Sequence, residues 1–323
     1  MKSLLTIIFI VSLCSFAKAQ QQGVYSNFLM NDYYYNPAIA GSKDVHVANL
    51  SYRNQWVGFE DAPVNMNANF YGSVRNKGKA GYGASLVSEK SGLVNNTGIY
   101  LNYAQHFKLS KKLKLGFGIQ PGYIQYRVKL YDAVLADQGD EVLTGSVYSA
   151  NAIDVNAGFH LYSKKFFLMG SMQHLLTKQI QFTSYNSNLA FHYNAIVGYT
   201  FDFPKKKFEL QPSFMLKYTS PIPVQWTGML KGTFNNKIWA GLIFRSDDAV
   251  GLSLGIKLKE RLNIGYGYDY SVSKIRKYNS GSHEVMLSFV ITKKKPTLEE
   301  EDDKLNNSIM EDMKKKMEEK EKN

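Results

Sequence analysis

Six histidines, His46, His106, His160, His174, His192 and His283, are the side chains best suited to proton transfer or metal binding near neutral pH. None belongs to an H-E-x-x-H motif, and no two stand at metal-ligand spacing. No G-x-S-x-G elbow or phosphate-cradling loop stands out. Ser282 and His283 are adjacent, but neighbours on a strand point to opposite faces, which separates a nucleophile from its base. The single cysteine, Cys14, falls in the leader described below, so the rest of the chain has no disulfide, thiolate metal site or cysteine nucleophile. These residues predict a protein that is not an enzyme and needs no cofactor.

Two groups of charges carry other chemistry. Asp132, Asp137, Asp140 and Glu141 are candidate calcium ligands, because a hard cation takes several carboxylate oxygens. A solvated surface loop is the favoured alternative. Lys217, Lys231, Lys257 and Asp269 lie on the polar face of strands. They would either tune a channel or pair inside a lumen, and pairing is the preferred reading.

The elements that position these groups are strands. Apolar and polar residues alternate down the chain, as in Leu262, Ile264, Tyr266, Tyr268 and Tyr270 against Asn263, Gly265, Gly267 and Asp269. The pattern predicts fourteen strands, over 45–56, 64–75, 81–90, 94–107, 112–130, 152–162, 165–172, 190–201, 207–218, 223–232, 237–245, 249–258, 261–271 and 283–291. The three longest connections, 131–151, 173–189 and 272–282, all fall in one alternate set. That parity is expected of a transmembrane up-and-down barrel with short periplasmic turns and longer outer loops. A soluble sandwich or lipocalin-like barrel would show the same alternation, but fourteen strands are too many for one small closed barrel. The fold class is therefore all-β, an outer-membrane β-barrel with its N- and C-termini periplasmic. The 22 Tyr and 19 Phe, with a slightly negative mean hydropathy, fit an apolar outside and a polar inside.

The ends differ from the body. Residues 1–19 read as a signal peptide: Lys2, an apolar run from Leu4 to Phe16, and a cleavage site at Ala17-Lys18-Ala19. The run is too short for a membrane-spanning helix, and Leu13 before Cys14 disfavours a lipoprotein signal. Residues 20–44 form an N-terminal segment placed at or in the lumen, 45–292 the barrel, and 293–323 a charged tail, helical or disordered. In the tail Leu305, Ile309, Met313 and Met317 recur every fourth residue, a thin apolar stripe that makes it a candidate periplasmic docking peptide. The leader's two lysines and the tail's near-balanced charges leave most of the net +12 on the body. Such a surface would attract acidic lipid head groups or an acidic protein rather than nucleic acid.

One set of motifs is more specific. Asp32-Tyr33-Tyr34-Tyr35 runs into Asn36-Pro37-Ala38-Ile39-Ala40-Gly41, followed by Arg53-Asn54-Gln55-Trp56 and then Ala62-Pro63. Pro37 restrains Asn36 to extended geometry, Gly41 permits a tight turn, Trp56 suits an interfacial girdle, and Arg53 would face the lumen and pair with an acid. In this order the motifs resemble the PorP/SprF family of type IX secretion system membrane proteins. Tyr103-Ala104, Leu115-Gly116 and Gly170-Ser171 look like further family positions. The resemblance implies an outer-membrane barrel of Bacteroidota-type bacteria acting in type IX secretion or gliding motility. It would bind or anchor a secreted surface protein or adhesin and contact periplasmic machinery. The motif residues Asn36, Pro37, Ala38, Gly41, Arg53, Gln55, Trp56 and Pro63 are then the candidate interaction residues, with a purely architectural role preferred for them. The charged tail matches no core family motif. The main alternative is a channel for hydrophobic small molecules, similar to the long-chain fatty-acid transporter family, which shares fourteen strands and an Asn-Pro-Ala segment. A structural barrel with lipid-binding duties ranks last.

Overall fold

The computed structural model describes residues 23–74, 79–129, 147–176, 180–181, 186–187, 190–259 and 261–291. They form a closed antiparallel barrel of fourteen strands. The strands are β1 (His46–Asn54), β2 (Val64–Ser73), β3 (Ala80–Ser91), β4 (Val94–Lys108), β5 (Lys114–Lys129), β6 (Val147–Tyr162) and β7 (Phe166–Gln173). They continue with β8 (His192–Tyr199), β9 (Phe208–Thr219), β10 (Ile222–Phe234), β11 (Ile238–Arg245), β12 (Ala249–Leu258), β13 (Leu262–Ser271) and β14 (Ser282–Ile291). Each strand pairs with its neighbours in sequence, and β1 closes on β14 with His46 opposite Ile291 and Asn54 opposite His283. Closure leaves no sheet edge, which is the only way a sheet satisfies its backbone within lipid. No helix among the described residues is long and apolar enough to cross a membrane.

The alternation sets the two faces. On β1, Leu50 and Tyr52 point outward while Asn49, Ser51 and Arg53 point inward and are buried. On β12, Val250, Leu252 and Leu254 point outward, and Ser253 inward. Leu101 on β4 and Ile153 on β6 are among the most exposed apolar residues, as a lipid-facing belt requires. The inner face is not uniformly polar. Met169, Ile196, Met215, Met229 and Ile243 also point inward and are buried.

The connections 55–63, 92–93, 130–146, 174–191, 220–221, 246–248 and 272–281 share one end, here the long-loop end. The other six, at 74–79, 109–113, 163–165, 200–207, 235–237 and 259–261, form the short-turn end. The sixth strand begins at Val147, five residues before the alternation suggested, because it pairs with β5 as far as Lys129. Asp132, Asp137, Asp140 and Glu141, the candidate calcium ligands, lie outside the described residues, as do residues 1–22 and 292–323, which include the leader and the charged tail.

The interior of a fourteen-stranded ring is too wide for wall side chains alone to fill, since about eight strands already give an interior that side chains just occupy. Here the chain before β1 occupies it. Gly23 sits beside Glu89 at the long-loop end of β3, and Gly41 packs against Gly81 at its short-turn end. At a rise of roughly 3.3 Å per residue, those eight steps along β3 span about 26 Å. The segment thus threads the whole lumen before turning into β1. Gly23 and Ile291 consequently lie at opposite ends of the barrel, whereas the even strand count alone had suggested that both ends share one side. A strand count says nothing about a segment running inside the ring.

Candidate functional site

The lumenal segment carries a core of its own. Tyr25, Phe28, Tyr33, Tyr34, Tyr35, Ile39 and Ala40 are buried and cluster with Ala104, Met169, Ile196, Met215, Met229 and Ile243 of the wall. Tyr33 stacks on Tyr71 of β2 at 4.3 Å between ring centroids. Burying a large apolar side chain stabilises by roughly 1.5–3 kcal/mol, so this cluster alone is substantial. It also explains the inward methionines and isoleucines, which face protein rather than water.

Local geometry follows from the sequence. One helical turn, α1 (Asp32–Tyr35), ends at Asn36, which is extended at φ −144° and ψ 116° because Pro37 follows it. Pro37 then opens the 3-10 turn Pro37–Ile39, where its missing N–H costs nothing. The Asn36 side chain caps that turn by accepting from the Ala38 N–H at 2.8 Å. Its Nδ2 donates to the carbonyls of Phe159 (2.8 Å) and Gly170 (3.1 Å), tying the segment to β6 and β7.

A segment this short on regular structure must satisfy its carbonyls elsewhere. The wall supplies the donors. Gln173 reaches the Tyr34 carbonyl (3.3 Å), Ser171 that of Tyr35 (2.6 Å) and Asn102 that of Pro37 (3.1 Å). His106 Nε2 lies 2.7 Å from the carbonyl of Ala40. Wall glycines let the backbone come close. A Cβ on Gly118 would lie 2.5 Å from the Ala38 nitrogen, and one on Gly81 would collide with the Ala40 oxygen.

The opposite side of the lumen holds an ionic anchor. Arg53 Nη2 pairs with Asp269 at 2.7 Å and Nη1 with Glu284 at 3.2 Å. Arg245 pairs with Asp269 at 3.3 Å and with Asp248 at 2.9 Å. Arg53, Arg245, Asp269 and Glu284 are all at most 1% exposed. The segment's own groups complete the cluster. Glu284 accepts from the Ser26 N–H (2.7 Å), the Asn27 N–H (3.0 Å) and Asn27 Nδ2 (3.1 Å). Ser26 Oγ donates to Asp269 and accepts from Arg53 and Arg245, each at 2.9 Å. Two guanidinium groups and two fully buried carboxylates balance, and such groups are tolerated in an interior only when paired and hydrogen-bonded. The anchor therefore works only with the segment in place.

Above the segment, at the long-loop end, a cavity of about 530 Å³ remains. Gly23 and Val24 form part of its lining, with Gln55, Trp56, Pro63 and Asn65 on one side and the turns around Pro223 and Asp247 on the other.

The motif residues divide accordingly. Asn36, Pro37, Ala38 and Gly41 build the lumenal segment, and Arg53 faces the lumen within the anchor. Gln55, Trp56 and Pro63 line the mouth cavity. Trp56 lies past the end of β1 at φ +53°, half-buried, with its backbone N–H donating to Ser282 Oγ at 3.0 Å. It borders the mouth cavity, a position different from the interfacial girdle that the sequence suggests. Of the four lumenal charges, Asp269 is an anchor residue, Lys231 lies 5.0 Å from the Trp239 ring centroid, and Lys257 reaches Asn236 at 3.4 Å. Lys217 is buried on the inner face of β9. Ser282 points inward and His283 toward Tyr266 on the outside, at 2.7 Å. His174 pairs with buried Asp154 at 2.8 Å, and among the described residues no group of three or more metal-ligating side chains converges. Sequence reasoning missed Ser26, Asn27, Glu284 and Arg245, where the bonds joining the segment to the far wall span 219 to 258 positions. It also missed Asn102, Ser171 and Gln173, which donate to the segment's carbonyls.

A closed fourteen-stranded barrel with an apolar outer belt and a filled lumen defines the class: an outer-membrane β-barrel protein. The barrel is similar in fold to the CymD monoaromatic hydrocarbon channel, with a TM-score of 0.51 at 8% identity, covering 85% of this chain and 95% of that one. A more distant likeness is to a Pseudomonas aeruginosa FadL homologue, with a TM-score of 0.45 at 11% identity, covering 79% and 91%. No curated protein matches the sequence. The family model for the type IX secretion system membrane protein PorP/SprF matches residues 17–289. The chain belongs to that family, a family of secretion-system membrane proteins.

Proposed function

We propose that this barrel is a plugged, non-conducting anchor that holds a secreted surface protein at its long-loop end. The supporting observation is the lumenal segment, which contacts the wall from β1 round to β14 and leaves free space at the mouth. A segment locked by a buried ionic anchor closes the lumen to a freely diffusing solute. For an anchoring protein the same segment gives a rigid floor to an outward-facing cavity. In this reading the short-turn end faces the periplasm, and the tail after β14 reaches the periplasmic machinery from there. The motif residues are then architectural in the main, with Gln55, Trp56 and Pro63 the ones available to a client.

Deleting the gene tests the role. The expected result is that at least one type IX client is lost from the cell surface and recovered in the medium or inside the cell. Normal secretion and display of every client would overturn it.

A further inference from the structure

We propose that the mouth cavity takes an extended peptide segment bearing a basic side chain; this rests on the anchoring role and names the chemistry of its client. The argument begins with charge. The whole chain is strongly basic, at +12, yet three carboxylates, Glu89, Asp247 and Asp248, line this cavity against one cation, Lys90. Lys90 is already offset by Asp61 at 3.7 Å, Arg53 and Arg245 are balanced by Asp269 and Glu284, and buried Lys217 on β9 lies within reach of the Glu89 charge. Asp247 and Asp248 are thus left in excess, and with Glu89 they keep the site acidic. Glu89 accepts from Tyr34 Oη at 2.7 Å and from the Gly23 N–H at 3.3 Å, which fixes its carboxylate at the cavity floor. Asp247 is exposed at the tip of the β11–β12 turn, with φ +56°.

The second observation is Asn65. It lines the cavity and is 3% exposed, yet its Nδ2 has no hydrogen-bond partner. A buried amide donor left unpaired is unfavourable, and a peptide carbonyl is a partner that a polypeptide client supplies. Trp56 adds an aromatic surface at the same rim, suited to a cation or an alkyl stem. Shape points the same way. Glu89 on β3 and Asp247 after β11 stand on nearly opposite sides of the ring, so one occupant touching both must stretch across the mouth. A volume of about 530 Å³ suits a few residues of extended chain. A fatty carboxylate would meet like charge here.

The test uses the full-length protein in a neutral detergent and two dye-labelled octapeptides, one alternating lysine with leucine and one alternating glutamate with leucine. Fluorescence anisotropy is expected to show the lysine peptide binding at least about tenfold tighter, with salt weakening it. The double variant E89Q/D247N should lose about tenfold for the lysine peptide. The introduced glutamine keeps an oxygen for Tyr34 and Gly23, and asparagine tolerates the left-handed backbone at 247. Retained heat-modifiable migration on gels shows that the variant barrel is intact. No binding, equal binding of the two peptides, an unchanged affinity in an intact variant, or displacement by a fluorescent fatty acid would each overturn the proposal. A client still lost from the surface on gene deletion would then leave the anchoring role standing without this site.

Discussion

Replacing Glu284 by alanine is expected to release the lumenal segment and turn a silent barrel into a conducting one. The carboxylate holds four hydrogen atoms at once, from the Ser26 and Asn27 backbones, Asn27 Nδ2 and Arg53. Its removal leaves two buried backbone N–H groups and the Asn27 amide without their acceptor, and Arg53 with Asp269 as its remaining acidic partner. Truncating one member of a buried ion pair costs about 3–5 kcal/mol. Here the barrel ladder is untouched, because Glu284 contributes to it only through its backbone pairing with Arg53 and Gly267. The loss therefore falls on docking of the segment rather than on the wall. In planar bilayers the unaltered protein should stay closed, while E284A should show channel openings. Steady conductance by the unaltered protein would favour the channel reading instead.

The second large effect is steric and comes from the other side of the lumen. Gly118→Val should prevent the segment from seating. A Cβ there meets the Ala38 nitrogen and the Pro37 carbonyl carbon, both at 2.5 Å, and these are backbone atoms fixed by the Pro37–Ile39 turn. Ordinary overpacking costs about 1–3 kcal/mol when side chains can give way; a backbone atom in a capped turn cannot. Asn36 would lose its bonds to Phe159 and Gly170 in the same displacement. The expected result is an intact, heat-modifiable barrel whose residues 23–42 become open to protease. Valine is a good strand former, so failure of the barrel itself is not expected. Protection equal to that of the unaltered protein would show that the segment does not pack on β5 as described.

Much of this molecule was legible in its sequence, and the reason is period. A strand with lipid on one face and protein on the other has to alternate, so β12 and β13 could be placed from Val250 to Tyr270 by eye. Loop parity then fixed the count. The lumenal segment was legible only in part. Asn36-Pro37 announced extended geometry and a turn, and both are present. Its threading of the whole ring was not legible, because a segment packed on all sides has no polar face and so no period. The anchor was half visible: Arg53 called for an acid, but Glu284 lies 231 positions away, a separation no local pattern spans. Nor could Gly118 be told from any other strand glycine. Its meaning depends on a turn eighty residues earlier coming to rest against it, and Met215 and Ile243 likewise acquire their inward role only once the segment is in place.

The proposed anchoring role puts a secreted protein at the long-loop end. Site-specific photo-crosslinking in living cells tests it most directly. A photoreactive amino acid at position 247, in an exposed turn bordering the cavity, is set against the same residue at Lys111 in a short turn at the opposite end. The account predicts that position 247 captures a type IX client and position 111 does not. Capture of no secreted protein from position 247, or equal capture from position 111, would contradict it.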